Sequence, residues 1–293
     1  MSRAARGEDP PGPRGEDPPG GSGGGPALSV IVRARDEAAG IGRCLALIGA
    51  QRTPGRAVEA IVVDSGSRDQ TVAIARDHHA RVITIPKRAF TFGAALNLGA
   101  ASARGEIIVA LSAHAFALDD GWLERVAASF SDPRVACACG EDRGPDGARL
   151  RTIVRQDIAL ARRAPQWGYS NGAGAFRAEL WRERQFRADL AGCEDKEWAL
   201  HWLERGYVCT IDPALSVEHD HTRDSLSDTY VRARREAAGY AAFLALGPYG
   251  PRELAREWWS ERGWHSSPVR ARCSPRRAAR LLGAYAGRRA AGG

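Results

Sequence analysis

The chain has 293 residues, 44% of them apolar, with a formal charge of +7 and 33 glycines. That apolar share is enough for a sizeable core, and no run approaches the roughly 18 consecutive apolar residues of a membrane-spanning helix. With no charged-then-apolar leader pattern at the start, a cytoplasmic globular protein without an integral membrane segment is expected.

The six cysteines are scattered, and the close pair Cys137 and Cys139 lacks the two-residue spacing of zinc or redox motifs, so reduced thiols are expected. The basic balance rests on arginine, since only Lys87 and Lys196 of the 42 basic residues are lysines. No basic run is interleaved with aromatic residues in the manner of a base-stacking surface, so nucleic acid is not an expected partner.

In chain order, residues 1–26 carry the repeat Arg-Gly-Glu-Asp-Pro-Pro-Gly at 6–12 and 14–20 and then a Gly/Ser-rich stretch. Such a composition buries too little apolar surface to offset its ordering entropy, which predicts a disordered tail. From Ala27 onward short apolar runs alternate with helical patterns, predicting an α/β fold with a mainly parallel central sheet flanked by helices. Strands are predicted over 28–32, 60–63, 82–85 and 106–111. Helices are predicted over 38–50, 67–78 and 93–103, the first with Ile41, Leu45 and Ile48 on one face. The polar signatures fall after strand ends, where open α/β sheets bind ligands.

The second half predicts a helix over 119–130, a strand over 134–140, a glycine-rich segment over 171–176, a helix over 195–205 closed by Gly206, and a strand over 207–211. A catalytic unit is expected over 27–245. The arginine- and tryptophan-containing region at 246–293 is expected to form a helical extension packed on the outside.

Two segments, Ser29-Val30-Ile31-Val32-Arg33-Ala34-Arg35-Asp36-Glu37 and Ile61-Val62-Val63-Asp64-Ser65-Gly66-Ser67-Arg68-Asp69-Gln70-Thr71, resemble the nucleotide-binding half of family 2 glycosyltransferases. Further elements follow in the family's order: Asn97 in an Asn-x-Gly helix, Ser112 to His114 at a strand end, Glu194-Asp195, and a late histidine at His219. The resemblance covers roughly residues 28–245. It implies a Rossmann-like GT-A fold and inverting transfer of a sugar from a UDP- or dTDP-sugar donor to a hydroxyl of a small molecule or glycan. The Asp64-Ser65-Gly66-Ser67 form is similar to deoxyhexose transferases of the rhamnose type.

By this resemblance Arg33, Arg35, Glu37 and Ser65 help enclose the nucleotide, and Asp64 accepts the imide N–H of uracil or thymine. A turn or helix-cap aspartate is the other reading of Asp64. Gly93 opens a helix whose amides could face a phosphate, with Asn97 one turn along, although a buried packed helix accounts for most of that segment equally well. The resemblance makes Asp195 the general base and Glu194 a positioning residue, with Trp198, Asn171, Gly172 and Gly174 beside donor and acceptor. A helix-capping acidic pair is the alternative for Glu194-Asp195.

At the strand end the sequence departs from the family, because the usual Asp-x-Asp is Ser112-Ala113-His114. By the resemblance a divalent ion, Mn²⁺ or Mg²⁺, would then rest on His114, His219 and His221, and hydrogen bonding of His114 to the diphosphate is the competing reading. The loss of two carboxylates should loosen hard Mg²⁺ more than Mn²⁺. Two competing readings are a catalytically weak nucleotide-sugar-binding protein and a sugar-1-phosphate nucleotidylyltransferase, the latter opposed by the absence of glycine from Val32-Arg33-Ala34-Arg35.

Overall fold

The computed structural model describes residues 27–219, 225–246, 249–260 and 274–290; the expected tail at 1–26 lies outside the described residues. Its first half is the predicted alternation: β1 (Leu28–Ala34), α1 (Ile41–Gly49), β2 (Val58–Asp64), α2 (Thr71–Asp77), β3 (Arg81–Thr84), α3 (Phe92–Ser102) and β4 (Ile107–Ser112). These strands run parallel in the order β3-β2-β1-β4. β1 and β4 are buried along almost their whole length, which is why they read as continuous apolar runs without alternation. α1 buries Ile41, Cys44, Leu45 and Ile48, one face of an amphipathic helix.

Register decides which side chains share the sheet's carboxyl edge. Ala34 of β1 lies opposite Asp64 of β2, and Arg33 lies opposite Ser112 of β4. The chain therefore leaves three neighbouring strands at one level, and the loops that follow them converge.

After β5 (Ala115–Phe116), α4 (Trp122–Ala128), β6 (Val135–Cys139), β7 (Val154–Gln156) and α5 (Ile158–Arg163), the chain enters β8 (Ala173–Arg177). The glycine-rich segment is thus a central strand, antiparallel to both β4 and β6, and the eight-stranded sheet continues as β4-β8-β6-β9-β7. A Cβ on Gly174 would lie 2.2 Å from the Ser170 carbonyl oxygen, so the glycine permits the tight entry into β8. α6 (Ala178–Glu183), α7 (Glu194–Leu203), β9 (Val208–Ile211) and β10 (Glu218–His219) follow, β10 pairing antiparallel with β5 as a separate ribbon.

The C-terminal helices are α8 (Leu226–Phe243), opened by a Ser225/Asp228 capping box, α9 (Pro251–Ser260) and α10 (Pro275–Ala290). α10 lies directly on α8: a Cβ on Gly283 or Gly287 would fall 2.4 Å and 2.0 Å from the carbonyl oxygens of Tyr230 and Arg234. α8 in turn meets the turn before α7, where a Cβ on Gly239 would lie 2.1 Å from the Gly192 carbonyl oxygen. Val231 and Arg235 of α8 and Ala290 of α10 face cavities at the carboxyl edge of the sheet. Among the described residues no helix is long and apolar enough to cross a membrane.

Candidate active site: two cavities with a shared wall

The carboxyl edge holds a cavity of about 760 Å³ lined by Arg33, Arg35 and Glu37 after β1, Ser65 after β2, the Phe90 to Phe92 segment, and Ser112 and His114 after β4. A second cavity of about 700 Å³ adjoins it, lined by Asn171, Gly172, Glu194, Asp195, His219 and residues of α8. Arg33, Phe92, Ser112, His114, Val231 and Arg235 line both. Most of the predicted site residues are thus brought together, from segments as far apart in the chain as Arg33 and His219.

The acidic pair sits at the start of α7, after Cys193 in a left-handed conformation with φ 62°. Neither carboxylate reads as a simple helix cap. Asp195 accepts from the Lys196 N–H through Oδ1 (2.8 Å) and from the Asn171 N–H through Oδ2 (3.1 Å), tying the helix to the turn that leads into β8. Arg33 reinforces that turn by donating to the Asn171 carbonyl oxygen (2.8 Å), and its guanidinium lies 3.7 Å from Glu194 Oε1.

Glu194 is buried. Desolvation, and next the charge of Asp195, push its carboxyl up to about 7, with Arg33 pulling it back. A carboxyl raised on folding binds its proton more tightly in the folded state. The stability tied to it is present below the ordinary value near 4.5 and is lost as pH rises through 7. Glu194→Gln removes this dependence. Its melting temperature should therefore gain on wild type by about 5 °C between pH 5 and pH 8, measured by thermal scans across that range. A constant offset at all pH values would show that Glu194 titrates normally.

His114 lies in the turn between β4 and β5, and His219 ends β10. The β5–β10 pairing sets His219 opposite Ala115, and the two imidazole rings lie 5.4 Å apart between centroids. Arg43 secures the ribbon by a two-pronged contact with Glu218 (3.0 and 2.7 Å) while stacking over Phe116 at 4.0 Å. Glu37 Oε1 lies 2.9 Å from His114 Nδ1. An ionised carboxylate only accepts, so the imidazole donates to it through Nδ1 and turns Nε2 away from Glu37. Among the described residues no three His, Cys, Asp or Glu side chains gather as a metal cluster, and His221 lies outside them. The donor pair in view is two imidazoles close enough to share one ion, a set suited to Mn²⁺ and similar ions rather than to Mg²⁺.

Several predicted site residues are placed elsewhere. The Asp64 carboxylate is turned into its own loop, accepting from the N–H groups of Gly66 (3.0 Å) and Ser67 (3.2 Å) and from the Ser67 hydroxyl, and Ser65 is the residue of that turn that reaches the cavity. Asn97 bonds the Phe186 backbone in both directions and accepts from the Trp181 indole N–H. The packing side of Gly93 faces Arg187, where a Cβ would lie 2.4 Å from its carbonyl oxygen. Trp198 is wholly buried, and Gly174 sits inside β8. Gly93, Asn97 and Trp198 fasten the α3–α6–α7 side of the core. α8 supplies what sequence reasoning missed, Val231, Arg235, Glu236 and Tyr240, from an arginine-rich stretch with no motif to mark them.

Residues 29–190 match the family described as Glycosyl transferase family 2. Two curated relatives are O-antigen chain rhamnosyltransferases: RfbN of Salmonella typhimurium, 27% identical over 177 residues (55% of this chain, 56% of the relative), and WbaN of Salmonella anatum, 25% identical over 186 residues (58% and 59%). The chain therefore spans less than two thirds of the length of these relatives. Among solved structures, the Pyrobaculum calidifontis mannosyltransferase PcManGT, in complex with GDP-Man and Mn²⁺, superposes with a TM-score of 0.64 at 21% identity, covering 91% of this chain and 86% of that one. Glucosyl-3-phosphoglycerate synthase of Mycobacterium tuberculosis, with Mn²⁺, UDP-Glc and glycerol 3-phosphate, gives 0.56 at 20% identity over 77% and 83%. The fold is that of the GT-A glycosyltransferases, and with more than half of its residues matched the chain belongs to glycosyl transferase family 2.

Proposed function

We propose that the protein transfers a sugar, with inversion, from a nucleoside diphosphate sugar to an acceptor hydroxyl. The observation that carries this is the acidic pair of buried Glu194 and half-buried Asp195 facing one cavity across a wall of Arg33, Ser112 and His114 from a second cavity at the carboxyl edge of β1, β2 and β4. The nucleoside occupies the first cavity against Arg33, Arg35, Glu37 and Ser65. The sugar and acceptor occupy the second, beside Asn171 and Gly172.

Asp195 takes the proton of the acceptor hydroxyl as its oxygen attacks the anomeric carbon. The bond from that carbon to the diphosphate breaks with its electron pair passing to the phosphate oxygen, and attack from the opposite face inverts the centre. The two backbone N–H donors on Asp195 fix its carboxylate in one orientation, and Glu194 holds Arg33 against the turn beneath the sugar. A divalent ion of the Mn²⁺ type would be held by His114 and His219, with His221 as a third donor, and would neutralise diphosphate charge. Glu37 fixes the His114 ring for that task.

The Asp-Ser-Gly-Ser turn and the rhamnosyltransferase relatives favour a deoxyhexose carried by dTDP or UDP. The test is incubation with dTDP- and UDP-deoxyhexoses and a panel of glycoside acceptors. Release of nucleoside diphosphate, with an anomeric configuration in the product opposite to that of the donor by NMR, is expected. Retention of configuration, or release of inorganic pyrophosphate, would overturn the reading.

A further inference from the structure

The donor has three parts in line, a nucleoside, a diphosphate and a sugar, and the site has two cavities joined along one wall. With the nucleoside in one and the sugar in the other, the diphosphate falls at the wall, where cations from opposite sides of the site meet. Arg33 comes up from β1 and Arg235 comes down from α8, and both guanidinium groups rest on the Phe92 ring, at 5.4 Å and 4.2 Å from its centroid. Each has a buried Nε with no hydrogen-bond partner. Among the described residues Arg235 has no ion-pair partner, and Gly192 accommodates its stem, where a Cβ would press on Cγ at 3.2 Å.

Two like charges sharing one ring, each with an unmet donor, are a costly arrangement for the protein alone. Burial shows the strain at Arg235, whose guanidinium is pulled below its ordinary value by desolvation, with Glu236 and Glu194 only partly offsetting it. Arg33 is paired with Glu194 at 3.7 Å, whereas Phe92 presents its π face to Arg235 and keeps it in place without neutralising it. Ser112 and His114, which stand where the family carries two carboxylates, add no negative charge at this wall.

We propose that Arg235, together with Arg33, forms a clamp for the diphosphate of the donor, so that α8 supplies leaving-group stabilisation from the side opposite the strand-end motif. This rests on the transferase reading above. As the bond to the anomeric carbon breaks, its electron pair goes to the phosphate oxygen and the leaving group gains a negative charge. The clamp therefore binds the transition state and the departing nucleoside diphosphate more tightly than the intact donor. A planar fork of donors suits that group better than an ammonium does.

The test is calorimetric titration of the full chain with UDP, dTDP, uridine and thymidine in the presence of chelator, which removes any metal contribution. Arg235→Gln should weaken nucleoside diphosphate binding by about 10- to 100-fold while leaving nucleoside affinity unchanged. Arg235→Lys should lose less, and Arg235→Glu should lose more than Gln. Nucleoside diphosphate affinity within twofold of wild type in Arg235→Gln would overturn the clamp while leaving the transferase function standing. Parallel loss of nucleoside and nucleoside diphosphate binding would make Arg235 a packing residue and overturn the clamp too. Wild-type protein that binds none of these nucleotides in chelator would overturn the clamp, and failure to bind them with Mn²⁺ added back as well would overturn the donor reading itself.

Discussion

Asp195→Asn is expected to slow sugar transfer by about 10²- to 10⁴-fold, the usual contribution of a general base, because the amide keeps the shape of the side chain but has no basic lone pair for the acceptor proton. The structure adds a second consequence. Both carboxylate oxygens accept from backbone N–H groups, of Lys196 and Asn171, and an asparagine can accept only one of them. A loss of about 1 kcal/mol in stability should accompany the kinetic effect. Nucleoside diphosphate affinity should stay near that of wild type, since Asp195 lines only the second cavity. Steady-state rates at saturating donor, paired with thermal scans, separate the two effects. Transfer at near wild-type rates would move the base to another group, and Glu194 would be the first to examine. Loss of rate only in proportion to lost folded protein would make Asp195 a tie between α7 and the 170–172 turn.

Trp198→Ala should cost about 3–5 kcal/mol of stability, the range for truncating a large buried aromatic. Its ring lies 5.3 Å from Phe186, 5.6 Å from Phe176, 5.9 Å from Trp202 and 6.4 Å from Tyr169, and its indole N–H donates to the Arg184 carbonyl oxygen at 2.7 Å. The cavity left behind would open between α7 and the sheet. Tyr169 donates to Asn171 Oδ1 at 2.7 Å, so the disturbance should also reach the turn beside Asp195. Denaturant unfolding reads the loss directly. A variant of wild-type stability with weakened donor binding would return Trp198 to the site, where the resemblance to the family had put it.

The first half of the molecule was legible because its strands are buried on both faces and its helices carry one apolar stripe, so periodicity and topology agree. The register of β1 against β2 and β4 then places Arg33, Ser65 and Ser112 with little left to chance. β8 was not legible as a strand: its sequence, Ala-Gly-Ala-Phe-Arg, lacks β-branched residues, and its reversal is imposed by the neighbours it pairs with. Asp64 illustrates a different limit. A carboxylate before a Gly-Ser turn suits both a ligand and a turn, and only the direction of its oxygens decides between them. Trp198 and Asn97 misled because a family motif marks a segment, whereas burial selects which of its residues face inward. Arg235 was invisible for the opposite reason, since one arginine among many on a long helix acquires meaning only from the ring it covers.

The position of β8 also bears on how the chain is made. β4, an apolar strand lying between β1 and β8 in the finished sheet, leaves the ribosome about sixty residues before its antiparallel neighbour. At roughly 5–20 residues per second, one edge of β4 waits unpaired for about 3–12 s. An apolar strand with open N–H and C=O groups is a template for pairing with another chain. Slower synthesis at low temperature lengthens that interval but also weakens apolar association, so soluble yield during expression should respond more strongly to chaperone supply than to growth temperature.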